Sequence, residues 1–199
     1  MKTKISAFLL ATILLSATAA FGQTEKNEIE DSIDRTEMPE KALETLDEFW
    51  PDHDDIRYFS ETDGETQTFE AKLEWQRREF SIEFDPSGSI IDVEQLLEID
   101  EIRNEASEGI REYLQNEFKR FRITRLQRQY VADDDDGVDD IDFIDDILEG
   151  DEEDYIVRFE LEVEGNKDSE IGAFELLFDS TGSIIQERSI VRRSLDNIW

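Results

Sequence analysis

The chain has 199 residues, with 53 acidic against 21 basic side chains, a net charge of −32 and no cysteine. That charge repels nucleic acid and anionic membranes, which makes both poor partners. The missing thiol excludes disulfides, cysteine nucleophiles, cysteine metal sites and a lipid-anchor cysteine.

The chain opens with Lys2 and Lys4, the apolar run Ile5 to Leu15, and then Ser16-Ala17-Thr18-Ala19-Ala20-Phe21-Gly22. A charged start, a short apolar middle and small residues at the end predict a secretory signal peptide over 1–22, cut after Gly22, with a cut after Ala19 as the rival. The apolar run is too short to span a bilayer comfortably. The expectation is therefore a periplasmic or secreted protein with no membrane insertion after cleavage. Residues 23–35 are polar and read as a disordered lead-in.

A helical pattern follows. Ala42, Leu43, Leu46, Phe49 and Trp50 recur at helical spacing behind Pro39, and Pro51 stops the run. Ile56-Arg57-Tyr58-Phe59 reads as a short strand. Phe69, Ala71, Leu73 and Trp75 alternate with Glu70, Lys72 and Glu74, and Phe80, Ile82 and Phe84 alternate with Ser81 and Glu83. Period-two alternation marks a strand with one buried and one solvated face. Asp85-Pro86-Ser87-Gly88 supplies turn chemistry, and Ser89-Ile90-Ile91 leads into another strand.

The sequence then repeats itself. Ile110, Tyr113, Leu114, Phe118 and Phe121 form a second helical stripe, and Ile123 to Val131 a strand. Tyr155, Val157, Phe159, Leu161 and Val163 alternate with charged residues. Phe84-Asp85-Pro86-Ser87-Gly88-Ser89-Ile90-Ile91 returns almost unchanged as Phe178-Asp179-Ser180-Thr181-Gly182-Ser183-Ile184-Ile185. Repetition 94 residues on (178 − 84) implies a duplicated unit. The second copy carries additional residues at Gly165-Asn166-Lys167-Asp168-Ser169, read as loop, and a larger insertion between Val131 and Tyr155.

That insertion holds Asp133 to Asp136, Asp139, Asp140, Asp142, Asp145, Asp146 and Asp151 to Asp154 (with Glu152 and Glu153). Blocks of like charge stay solvated. Ile141, Phe143, Ile144, Ile147 and Leu148 interrupt it as a short amphipathic stretch that could dock on the domain or on a partner. An EF-hand register fails: Gly137 at the sixth position puts Ala132 first and Phe143 twelfth, where ligands belong. Weak electrostatic attraction of divalent cations is the remaining possibility there.

Catalysis has little support. His53, the one histidine, is flanked by Asp52, Asp54 and Asp55 and reads as a solvated loop residue; no serine lies in a Gly-x-Ser-x-Gly context. Lys119, Arg120, Arg122, Arg125 and Arg128 cluster, and alternation along a strand would let only some share a face. Cross-strand pairing with Glu and Asp is the simpler reading, an anion site the other. Arg77-Arg78 and Arg192-Arg193 are weaker cases. No catalytic, cofactor-binding or metal-ligating residue is nominated, and no cofactor is expected. Arginines outnumber lysines 14 to 7; with the acidity, this points to a protein suited to concentrated salt, of halophilic or marine source.

The order Met38-Pro39, helix, Phe49-Trp50-Pro51, the strand at Phe69, and Phe84-Asp85-x-x-Gly88 resembles the PepSY-like domains of exported bacterial proteins, which are similar to the repeat unit of proteinaceous β-lactamase inhibitors. Phe118-Lys119-Arg120 departs from the aromatic-Pro pair in the second copy. The resemblance implies an α+β fold of two tandem helix-plus-four-strand units, 36–98 and 99–193 (insertion 132–154, tail 194–199). Together they would form one antiparallel sheet of about eight strands with helices on one face. It also implies a non-enzymatic, inhibitor-like or chaperone-like module that binds an unknown protein partner, here through the sheet's open face. The alternative is a calcium-responsive envelope protein using the Asp-rich insertion.

Overall fold

The computed structural model describes residues 24–51, 55–102, 105–132 and 138–191. Ten strands form one sheet: β1 (Thr24–Lys26), β2 (Glu28–Ile33), β3 (Arg57–Asp63), β4 (Thr66–Trp75), β5 (Arg78–Phe84), β6 (Ile90–Leu96), β7 (Phe118–Val131), β8 (Ile156–Lys167), β9 (Glu170–Asp179) and β10 (Ile184–Ile190). Three helices join them: α1 (Glu40–Phe49), α2 (Glu105–Glu117) and α3 (Asp140–Glu149). None of the described helices is long and apolar enough to cross a membrane.

The sheet runs β1-β10-β9-β8-β7-β6-β5-β4-β3-β2. Its first and last members are separated in the chain by Asn27 alone, so one bent N-terminal segment pairs with both edges. β1 lies parallel to β10, with Lys26 opposite Ile190; β2 lies antiparallel to β3, with Glu28 opposite Asp63. The sheet thus curls into a nearly closed barrel. Arg188 of β10 reaches across the seam to Asp63 of β3 at 3.0 Å, and the Asn27 amide donates to the same carboxylate at 3.3 Å.

This corrects the expected fold class. In place of an eight-stranded antiparallel sheet of two helix-plus-four-strand units, the molecule is a ten-stranded mixed sheet, predominantly strand, with three helices. The polar stretch from Thr24 to Ile33, expected to be without order, forms the closing strands. Its strand character is hidden because nearly every residue of β2 is exposed or faces polar groups, so no apolar alternation betrays it.

The helices pack on the barrel's outside. Ala42 and Leu46 of α1 and Phe143, Ile144 and Ile147 of α3 bury against Tyr58, Ala71, Ile82, Phe84 and Val93. Ile110 and Leu114 of α2 bury against Leu126, Leu161, Leu176 and Phe178. Side chains of this size contribute roughly 1.5–3 kcal/mol each when buried, so the outer layer dominates stability. The amphipathic stretch in the insertion is thus a structural helix, capped by Asp139 and ended by Gly150 in the left-handed region.

Both Asp-x-x-Gly turns are built alike. Asp85 accepts from the Ser87 and Ser89 amides at 2.8 and 3.0 Å; Asp179 accepts from those of Thr181 and Ser183 at 2.9 Å. Gly88 lies against α1 and Gly182 against α2, so close that a Cβ on Gly182 would stand 2.4 Å from the Ala106 carbonyl oxygen. Two sequence expectations shift. Phe118 and Phe121 belong to β7, since α2 ends at Glu117 and passes straight into strand. Gly165 to Lys167 also continue β8, leaving a two-residue turn at Asp168-Ser169 with φ of +50° and +75°.

Candidate functional site

The face opposite the helices lines the barrel's interior, and it is acidic. A cavity of about 300 Å³ is lined by nine carboxylates and three cationic side chains. Glu61 comes from β3, Glu70 from β4, Glu83 from β5, Asp92 and Glu94 from β6, and Glu160 and Glu162 from β8. Alternation puts each in phase with the outward apolar residues: where Ile82 and Val93 face the helices, Glu83 and Asp92 face inward as a direct cross-strand pair. The sequence reading took these positions for a solvated face. Asp92 is only 4% exposed, Glu70 6% and Glu175 3%. No period-two pattern can tell a polar lumen from bulk water.

Several of these carboxylates are neutralised. Lys26 and Arg188 grip Glu175, with Arg188 Nη2 at 2.5 Å and Nε at 2.6 Å from Oε1. Lys72 sits 2.8 Å from Glu70 and also pairs with Glu30, and the Ser81 hydroxyl donates to Glu70. Glu30, Glu61 and Glu70 place carboxylate oxygens within 4.8 Å of one another, and the Lys72 ammonium already pairs with two of them, Glu30 and Glu70. Around Asp92 and Glu94 of β6 no cation among the described residues stands at ion-pair distance. Gln129 Nε2 donates to Asp92 Oδ2 at 2.9 Å and Gln127 Nε2 donates to Glu94. Asp92 Oδ1 and Gln129 Oε1 are buried with no donor among the described residues.

The electrostatics follow. Burial, then the neighbouring Glu83 and Glu160 charges, push the Asp92 carboxyl well above the usual range, and burial with Asp92 and Glu160 does the same to Glu94. Burial and then Glu175 raise Glu160 to about 7, with Lys26 and Arg188 opposing. Glu83 is raised by burial and by Glu70 and Glu28. Burial and Glu70 hold Glu61 up at about 10. Glu70 itself falls below its usual value: burial acts against this, but hydrogen bonds from Glu61, Lys72 and Ser81 outweigh it.

The basic cluster divides. Arg122 pairs with Glu164 at 2.7 Å and Arg128 with Glu152 at 2.8 Å, as cross-strand neutralisation predicts for the first. A bulge between Ile123 and Arg125 restores phase, so Arg120, Arg122 and Arg125 stand opposite Asn166, Glu164 and Glu162 on one face, while Arg128 faces the other way over the Phe159 ring. β6 pairs with β7 only from Gln127 to Tyr130. Among the described residues, Phe118 to Arg125 therefore have no strand on the side away from β8. Lys119, Arg120, Phe121 and Arg122 are exposed there, and Ile171 on β9 is 87% exposed. A shallow cleft of about 680 Å³ runs over these residues, floored by Gly165, Gly172 and Ala173.

His53, Asp133 to Asp136 and Arg192-Arg193 lie outside the described residues. The described part of the insertion is engaged internally: Asp140 pairs with Lys41 at 2.7 Å, and Tyr155 donates to Asp146 at 2.6 Å. Arg78 meets Glu101 at 3.4 Å on the surface.

No protein-family model matches the sequence, and no curated protein is similar to it. Solved structures are similar in fold. A DUF2874 family protein from Bacteroides ovatus has a TM-score of 0.51 at 9% identity, covering 76% of this chain and 88% of its own. A protein from Bacteroides eggerthii assigned to the periplasm has a TM-score of 0.50 at 10% identity, with the same two coverages. A BLIP-like protein from Bacteroides fragilis has a TM-score of 0.49 at 16% identity, covering 81% of this chain and 93% of its own. At these identities the first two establish a shared fold.

Proposed function

We propose that the chain is an exported, non-enzymatic binding protein that takes up an extended acidic segment of a protein partner along the free edge of β7. The observation that carries this is the unpaired run Phe118 to Arg125, which offers backbone donors and acceptors next to Lys119, Arg120 and the exposed Phe121 and Ile171. An added strand gains main-chain hydrogen bonds, and its acidic side chains meet a basic stretch of a strongly acidic molecule. The open sheet face first expected to do this is the barrel's lumen, so the binding surface moves to the edge. Export rests on the segment from Lys2 to Gly22, and the resemblance of the first unit to exported PepSY-like domains agrees with it. The periplasmic assignment of the B. eggerthii protein points the same way.

Basic residues on a strand edge also serve to deter self-association. Capture from envelope extracts separates the two roles. A partner retained by the parent and lost from Lys119→Glu/Arg120→Glu, at equal melting temperature, supports the binding role. If the charge-reversed edge retains the same partner, the reading is wrong.

A further inference from the structure

We propose that the shallow cleft over Phe121 and Ile171 takes a segment of this same chain, Ser194-Leu195-Asp196-Asn197-Ile198-Trp199, which thereby competes with a partner for the edge of β7. The competition rests on the partner-binding reading; the seating of the segment does not.

The argument begins where β10 ends. The Val191 amide donates to the Lys26 carbonyl at 3.0 Å, and Ser189 stands opposite Phe174 of β9. Carried on in that antiparallel register, the chain runs down β9 past Ala173, Gly172, Ile171 and Glu170. Among the described residues, this stretch of β9 pairs with β8 on one side and has no strand on the other. Ile171, Gly172 and Ala173 also line the cleft, so the chain leaves the sheet at the cleft's own margin. The remaining reach is short. From β9 to β7 is two strand spacings, roughly 10 Å, and six extended residues cover about 20 Å.

The chemistry matches along that path. Residues 192–199 hold two arginines and one aspartate, a net +1 (2 − 1) in a chain of −32, so the molecule attracts this segment instead of repelling it. The register brings Arg193 opposite Glu170, an opposite-charge cross-strand pair. Asp196 comes later, where Lys119, Arg120 and Arg122 form the basic wall. Acidic strand first and basic wall second is the order that arginine pair and aspartate require. Between the charges lies an apolar surface. Gly165, Gly172 and Ala173 make a floor without bulk, and Ile171 stands 87% exposed above it. Leu195, Ile198 and Trp199 are the apolar side chains available to cover it.

The test uses the full mature chain and a labelled synthetic peptide of residues 192–199. In the parent the tethered segment already fills the cleft, at an effective concentration on the order of millimolar, and the added peptide finds little room. Ile198→Ser/Trp199→Ser unseats it, so this variant should take up the peptide at least about tenfold more tightly than the parent. Adding Lys119→Glu/Arg120→Glu to the variant should abolish the gain. Adding Ile171→Ser instead should do the same, a second arm should the charge reversal misfold. Equal affinity in parent and variant would show an open cleft and overturn the proposal. So would no uptake by the variant at millimolar peptide, or uptake that survives both added changes, since the peptide would then seat elsewhere. The variant should also retain more of an envelope partner than the parent, and equal retention would overturn the competition. Absence of any partner, with the peptide results as expected, counts against the partner-binding reading alone.

Discussion

Gly182 and Gly64 share a left-handed backbone, at φ of +84° and +65°, yet they occupy opposite surroundings. A methyl on Gly64 meets nothing within 4 Å, while one on Gly182 collides with the Ala106 backbone of α2. Gly64→Ala therefore costs only the left-handed penalty, about 1–2 kcal/mol, whereas Gly182→Ala adds overpacking of about 1–3 kcal/mol. Denaturant titration checks the order; equal losses would show that the turn does not bear on the helix. The hairpin turn at Gln76-Arg77 offers the reverse case. Both residues have positive φ without being glycine, at +50° and +66°. Arg77→Gly is expected to raise stability by about 0.5–1 kcal/mol with an unchanged denaturant slope, since this turn type favours glycine at its second position.

Among the elements, β1 is the shortest and the most consequential. Three residues parallel to β10 close a sheet that would otherwise present two free edges. Lys26 also supplies half of the charge that neutralises Glu175, and its own proton is held tightly: burial opposes the charge, but Glu160, Glu175 and Glu28 more than restore it. Removing the chain through Asn27 should lower the melting temperature and produce dimers in light scattering, as the exposed β10 edge finds another copy. An unchanged, monomeric truncation would show that the seam adds nothing. The helices, the alternating strands and both Asp-x-x-Gly turns were legible, because apolar spacing and turn chemistry report on the outer core. The closing strands and the lumen were not. Glu28, Glu70, Glu83 and Asp92 carry the same letters whether they face solvent or one another, and only curvature, which single residues do not encode, decides between the two.

For the whole molecule, the lumen sets the response to acid and salt. Glu160, Glu83, Asp92 and Glu94 bind protons more tightly folded than unfolded. Their contribution is therefore complete below the ordinary carboxylate range and drains away as pH rises, through about 7 for Glu160. Asp85 and Asp179 run the other way, lowered chiefly by hydrogen bonds from Ser87 and Thr181, and their support fails only in stronger acid. The protein should melt higher at mildly acidic than at mildly alkaline pH. At −32 overall, it should also gain stability in molar sodium chloride, where the screening length is about 3 Å. Melts across a pH and salt grid check both, and a flat surface would remove the picture of a repelling interior.

The bent segment around Asn27 has a bearing on how the fold is reached. Lys26 finds Ile190 only once almost the entire chain is available, so ring closure demands the longest loop the sequence can offer. Until that moment the acidic residues of β4 to β8 stand in open water and stay ionised. Sealing them in is then a desolvation step, and protonation, which discharges them, should speed the final stage of folding.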